Sequence, residues 1–156
     1  LESERFDRIC ADGRRGLVSL RAVDAAFLGQ GSGTWTKCAH KLKAQKLITE
    51  ESSRQIAQLE CFGQLIANTD MHFGNLSFFL GETFPLQLAP CYDMLPIRFR
   101  PATSGELPAV EFHPKRPPPE QEADWQKIHL PAAEFWQTIA QNPPVSKGFQ
   151  ALAESR

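Results

Sequence analysis

No run of about 18 apolar residues occurs in the chain, and no signal-peptide pattern opens it, so neither a membrane span nor export is expected. A soluble, cytoplasmic protein is the expectation. An excess of either charge is missing too: 17 Lys and Arg oppose 18 Asp and Glu, and a surface for nucleic acid is not indicated. Cysteine is sparse and scattered. Cys10, Cys38, Cys61 and Cys91 include no Cys-x-x-Cys pair, which argues against zinc and gives no disulfide framework, so all four are read as reduced thiols. Cys91 reads as a small packed residue. The cluster Gly29-Gln30-Gly31-Ser32-Gly33 lacks the Gly-Lys-Ser/Thr ending of a phosphate loop and reads as a flexible lead into a helix. No internal repeat and no second domain is seen.

What is present suffices for one globular core: 156 residues, 42% of them hydrophobic. A turn over Ala11–Gly16 precedes a short strand, Leu17–Arg21, and Val23, Ala26 and Phe27 mark a short helix. From Thr34 or Ser32 a second helix carries Trp35, Cys38, Ala39, Leu42 and Leu47 on one face, with Lys37, Lys41, Lys43 and Lys46 outward. Thr49 caps a third, whose Glu50 and Glu51 sit where the helix dipole favours negative charge, and Ile56, Leu59, Phe62 and Ile66 recur on its buried face. Near the end, Pro131 reads as the first turn of a helix bearing Ala132, Phe135, Trp136 and Ile139. Ser146 caps a last one, with Phe149, Leu152 and Ala153 inward.

The stretch from Gln64 to Leu80 carries the chemistry. A polar turn bearing Asn68, Asp70, His72 and Asn75 separates the third helix from an aromatic strand. Asp70 followed five residues later by Asn75 puts a proton acceptor and a metal ligand on one loop, the arrangement of the protein-kinase catalytic loop. The second carboxylate such a site needs should return after a hairpin. Leu76–Leu80 reads as one strand, Gly81–Pro85 as the turn and Leu86–Ala89 as the return, which lands Asp93 beside Asn75. Two oxygen donors from separate loops, completed by phosphate oxygens and water, commonly hold Mg²⁺ in nucleotide sites. Asn68 and Thr69 read as helix-terminating residues, and His72 as a brace for the loop.

These residues resemble the catalytic and metal-binding loops of HipA-type serine/threonine kinases, the toxin halves of bacterial toxin–antitoxin pairs. Thr69, Asp70, His72 and Asn75 match the family's Thr-Asp-x-His-x-x-Asn, and Pro90, Tyr92 and Asp93 match its Pro-x-Tyr-Asp. The resemblance implies Asp70 as catalytic base, with His72 in the same catalytic loop, and Asn75 and Asp93 as Mg²⁺ ligands. It also implies ATP as phosphoryl donor, a serine or threonine of a protein substrate as acceptor, and a DNA-binding antitoxin as partner. Gly74 stands where the family pattern has Lys, and Asp-x-His-x-Gly-Asn also resembles aminoglycoside and choline phosphotransferases, which leaves the acceptor open.

The opening Glu4-Arg5-Phe6-Asp7-Arg8 resembles the family's segment joining the two kinase lobes. Carried over, Glu4 and Phe6 would offer main-chain groups to the adenine edge and Asp7 a carboxylate to the ribose. The fold implied is α+β, mainly α: the large C-terminal lobe of a protein-kinase-like fold, beginning at the hinge, with a small β-hairpin beside the catalytic loop. The N-terminal lobe, with its phosphate-covering loop and Lys, is expected before Leu1, and residues 1–156 alone are expected to be nearly inactive. Arg98, Arg100, His113, Lys115 and Arg116, among prolines that include Pro117, Pro118 and Pro119, read as an acceptor-binding region or as a solvated loop. A small-molecule phosphotransferase, a catalytically silent interaction module and a metal-dependent hydrolase using Asp70 and His72 remain as alternatives.

Overall fold

The computed structural model describes residues 5–10, 12–106, 108, 111–114, 117 and 122–156. The chain divides into two units, Leu1–Ala57 with Met71–Asp93, and Gln58–Asp70 with Met94–Arg156. The described residues hold five helices and two small sheets, a mixed α/β content.

In the first unit, β1 (Arg8–Ile9) and β2 (Gly13–Arg14) form an antiparallel ribbon. A side chain at Gly13 would strike the carbonyl oxygen of Ile9, so only glycine allows this close return. The second sheet has the order β3 (Leu17–Ser19), β4 (Ser77–Phe79), β5 (Gln87–Leu88), all antiparallel. Val18 lies opposite Phe78, and Phe78 opposite Leu88. The hairpin expected from the sequence is therefore present with shorter strands, and β3 joins the free edge of β4.

The strand expected through Arg21 stops at Ser19, whose hydroxyl accepts from the Ala22 N–H at 3.2 Å and starts α1 (Leu20–Phe27). An N-cap therefore overrides the strand reading of Leu20 and Arg21. Leu20, Val23 and Asp24 are buried. The Asp24 carboxylate, 2% exposed, accepts from the N–H groups of Gln30 at 3.2 Å and Gly31 at 2.8 Å. The glycine cluster, expected to be loose, is thus tied to the helix that precedes it.

Thr34 caps α2 (Trp35–Ala44), and Trp35, Cys38, Ala39 and Leu42 are buried as their spacing requires. Leu47 is buried as well, but beyond the helix. Lys46 turns left-handed, with φ 59°; its N–H donates to Lys43 O at 2.8 Å and that of Leu47 to Leu42 O at 2.9 Å. This Schellman ending satisfies the last carbonyls of the helix and is usually made with glycine. The Leu86 N–H then reaches Leu47 O at 2.8 Å, which links the segment to the start of β5. Lys37, Lys41 and Lys46 are exposed, and Lys43 pairs with Glu50 at 3.0 Å.

Thr49 accepts from the Ser52 N–H at 3.0 Å and caps α3 (Glu50–Leu65), which begins in the first unit and ends in the second. Ile56 and Ile66 are fully buried. Leu59 and Phe62 are only half-buried, while Cys61 and Leu65 take the inner positions beside them. Ala67, at φ 61°, ends the helix as Lys46 does, with the Asn68 N–H on Gly63 O at 2.8 Å.

The second unit packs Cys61, Leu65, Ile66, Phe99, Trp136 and Ala153 into one core. The Trp136 indole donates to Leu65 O at 3.4 Å, and the Arg98 N–H, in a 3₁₀ turn over Ile97–Phe99, donates to Ala67 O at 3.1 Å. Pro131 does not open its helix. It lies inside α4 (Glu122–Gln141), a helix of 20 residues, on the exposed face. The carbonyl one turn earlier, left without its N–H, can turn to water there, and burial of Ala132 and Trp136 holds the helix through the break. Ser146 caps α5 (Lys147–Glu154), which packs on α4. Ala153 and Gln150 are its buried residues, with Phe149 and Leu152 half-buried; Gln150 donates to Asn142 O at 2.7 Å. Residues 111–114 are irregular, and Lys115, Arg116, Pro118 and Pro119 lie outside the described residues.

All four cysteines are free, Cys38 and Cys61 buried, Cys10 and Cys91 exposed, so Cys91 is not the packed residue its size led us to expect. Burial pushes Cys38, beside Asp24, and Cys61 up from the ordinary value near 9 to about 11. A thiol reagent at pH 8 is expected to label Cys10 and Cys91 quickly, and Cys38 and Cys61 only after unfolding. The native state also holds these two protons more tightly than the unfolded chain, so their contribution to stability should fall as pH rises from about 9 through about 11. Equal labelling of all four native thiols would contradict this burial. Separately, Lys46→Gly should raise the unfolding midpoint, worth roughly 0.5–1 kcal/mol, because the left-handed strain at an exposed position disappears. Ala67→Gly should gain less, since it also removes a buried methyl group.

Candidate functional site

The polar turn and the Asp93 segment can be built up from their hydrogen bonds. In the second unit, Asn68 is buried and accepts the Asp70 N–H on Oδ1 at 2.9 Å, while its amide donates to Met94 Sδ at 3.4 Å. Asn68 therefore shapes the backbone that presents the exposed Asp70. The helix itself ends at the left-handed Ala67, so the Asn68 side chain shapes the turn that follows it.

In the first unit the loop from His72 to Leu76 is held at nearly every peptide. The His72 carbonyl accepts from the Trp35 indole at 3.1 Å and from the Asn75 N–H at 3.0 Å. Phe73 O accepts from the Arg21 N–H at 2.9 Å and Leu76 O from that of Leu20 at 2.8 Å. Those two donors are the first N–H groups of α1, which have no partner within the helix, so the loop and the helix start satisfy one another. The exposed His72 ring accepts the Gly74 N–H on Nδ1 at 2.9 Å, which is the bracing contact foreseen for it. A Cβ at Gly74 would lie 2.8 Å from His72 Cε1 and 2.9 Å from Nδ1, so a side chain at this position would displace the ring and break that bond.

The Gly74 carbonyl, bonded to Asn75 N, accepts from the Tyr92 phenol at 2.9 Å. The Ser77 hydroxyl lies 2.7 Å from the same phenol oxygen. Since the phenol proton goes to Gly74, Ser77 is the donor in that second contact. Tyr92 precedes Asp93, which is exposed and left-handed at φ 55°. Asn75 and Asp93 thus sit on two segments of one unit joined through their sequence neighbours Gly74 and Tyr92. Asp70 belongs to the other unit.

In the opening segment, Glu4 lies outside the described residues. The Phe6 ring stacks on Tyr92, centroids 6.1 Å apart, and meets the edge of Phe79 at 6.2 Å. Arg15 covers the Phe79 ring at 3.3 Å and donates to Gln87. The Arg5 guanidinium grips the Asp7 carboxylate at 2.8 and 2.6 Å and holds it below its usual carboxylate range. Asp7 is therefore an ionised acceptor, and any hydroxyl it bound would share it with Arg5.

Trp35, Ser77 and Tyr92 are the residues to which sequence reasoning gave no role at the loop. A signal existed for two of them: the indole N–H of Trp35 on an apolar helical face and the hydroxyl of Ser77 inside an apolar strand both need partners. Among the described residues no group of three His, Cys, Asp or Glu side chains is placed to hold a metal ion. One carboxylate and one carboxamide make a different kind of site, with hard oxygen donors that fit Mg²⁺ and leave positions for phosphate and water.

Comparison with known proteins agrees with the motif. Toxin YjjJ of Escherichia coli (strain K12) is 40% identical over 154 residues, 99% of this chain and 34% of the toxin, so the chain spans about a third of that curated relative's length. No helix among the described residues is long and apolar enough to cross a membrane. The family model of the HipA-like C-terminal domain matches residues 1–150, and the chain, bearing that family's loop pattern on a mixed α/β framework, belongs to this family.

Proposed function

We propose that this chain is the C-terminal part of an ATP- and Mg²⁺-dependent kinase that phosphorylates a serine or threonine hydroxyl of a protein, with the large-lobe fold of a protein kinase. The observation that carries the reading is the hydrogen bond from Tyr92 to the Gly74 carbonyl, which supports a common location for Asn75 and Asp93. Mg²⁺, when bound, would neutralise the phosphates of ATP. Asn75 would hold it with its amide oxygen and Asp93 with its carboxylate. Asp70 would orient the acceptor hydroxyl and take its proton as the oxygen attacks the γ-phosphorus and ADP leaves. His72 would keep the loop in shape through Gly74. Phe6 and Asp7 would meet the nucleoside, Phe6 through its main chain and Asp7 at the ribose, with Glu4 contributing on the adenine side.

The name of the relative, a toxin, supports a toxin–antitoxin setting. In that setting the protein would act in the cytoplasm, with a DNA-binding antitoxin as partner. Phosphorylation of a small molecule would use the same three residues. The acceptor is decided by offering the full-length protein both kinds.

The test separates roles in the full-length protein, by nucleotide affinity and single-turnover phosphorylation. Asp93→Asn is expected to weaken Mg²⁺·ATP binding and to abolish transfer. Asp70→Asn should keep binding nearly intact while transfer falls roughly 10²-fold or more, the scale for losing a positioned base. Asn75→Ala should fall between, since water can replace a neutral ligand. Transfer at the parent rate by Asp70→Asn would overturn the assignment.

A further inference from the structure

Tyr92 is a half-buried phenol with both hydrogen-bonding capacities used: it accepts from the buried Ser77 hydroxyl and donates to the carbonyl of Gly74. That carbonyl belongs to the peptide that enters Asn75, and the next residue after Tyr92 is Asp93. The other side of Gly74 is held by His72 Nδ1, so the residue is gripped at both its N–H and its C=O. Ser77 in turn belongs to β4, whose partner β5 leads into the Asp93 segment, and its own carbonyl accepts the Ala89 N–H at 2.9 Å. The phenol therefore closes a ring of contacts whose two ends are the segments of Asn75 and Asp93.

We propose that Tyr92 is a positioning residue that fixes the separation of the two oxygen donors, Asn75 and Asp93, through the Gly74 peptide. The inference rests on the metal role given to those donors above. Mg²⁺ tolerates little departure from octahedral geometry, so an ångström of freedom between two loops loses affinity even when both ligands remain. Groups that orient metal ligands without touching the metal typically change affinity or activity by about 10–100-fold when removed. Nothing else in Tyr92 is used this way: its ring stacks on Phe6, and phenylalanine would keep that contact.

The experiment uses the full-length protein, with Mn²⁺ as the probe for the Mg²⁺ site. Free Mn²⁺ is followed by electron paramagnetic resonance in the presence of ATP, beside thermal unfolding. Tyr92→Phe is expected to weaken Mn²⁺ binding by roughly 10-fold and to raise the metal concentration for half-maximal transfer, while ATP-saturated transfer at high metal falls less. Ser77→Ala, which leaves the bond to Gly74 in place, should have a smaller effect. Ile56→Ala, a core truncation in the same unit on α3, which supplies none of the donors named for the loop, is the stability control and should leave Mn²⁺ affinity unchanged. Parent-like Mn²⁺ affinity in Tyr92→Phe, with binding lost in Asp93→Asn, would overturn the inference and leave the kinase reading standing. An equal loss in Ile56→Ala would reduce Tyr92 to a stability role and overturn it too. Parent-like affinity in Asp93→Asn would remove the metal reading and the inference together.

Discussion

Four main-chain carbonyls in five residues, those of His72, Phe73, Gly74 and Leu76, are each held by a donor from elsewhere in the first unit. A loop rich in polar groups between two buried elements has many ways to fold back on itself, and unsatisfied carbonyls there would cost on the order of 1–3 kcal/mol each. The donors come from three places: the Trp35 side chain, the first turn of α1 and the Tyr92 phenol. Trp35 and the start of α1 belong to elements fixed by the core, and Tyr92 is anchored by Ser77 of β4, so the loop inherits the rigidity of the scaffold. The conformation at Asn75 is a consequence of packing at a distance in sequence.

The same dependence explains what could be read in advance. The hairpin was legible because its cues are local: an apolar run, a turn of Gly81 to Pro85, and a second run. The edge on which β3 adds was not, since Leu17–Ser19 meets Ser77–Phe79 across some 60 residues and three paired residues leave little periodicity to detect. Pro131 was misread for the opposite reason. The local rule that proline opens helices is sound, but burial of Ala132 and Trp136 after it outweighs a break on an exposed face.

For the site, Asp70, His72, Asn75 and Asp93 stood out by spacing and by likeness to a known pattern. The residues that hold them did not. Trp35 fitted an apolar helical face, and Ser77 an ordinary strand; only the partner across the fold reveals the donor each supplies. Gly74 is a middle case. It was visible as a departure from the family's pattern, but its meaning depends on the His72 ring lying under it.

The left-handed backbone at Asp93 restricts the evolutionary routes open to this position. At a φ of 55° the residues tolerated with least strain are glycine, which has no side chain to crowd, and asparagine and aspartate, whose short polar side chains can hydrogen-bond locally. Lineages that abandon the carboxylate should therefore drift first to asparagine or glycine. Glutamate keeps the charge but not the fit, so the path from Asp93 to it carries a backbone cost of the kind Lys46 bears, before chemistry is asked.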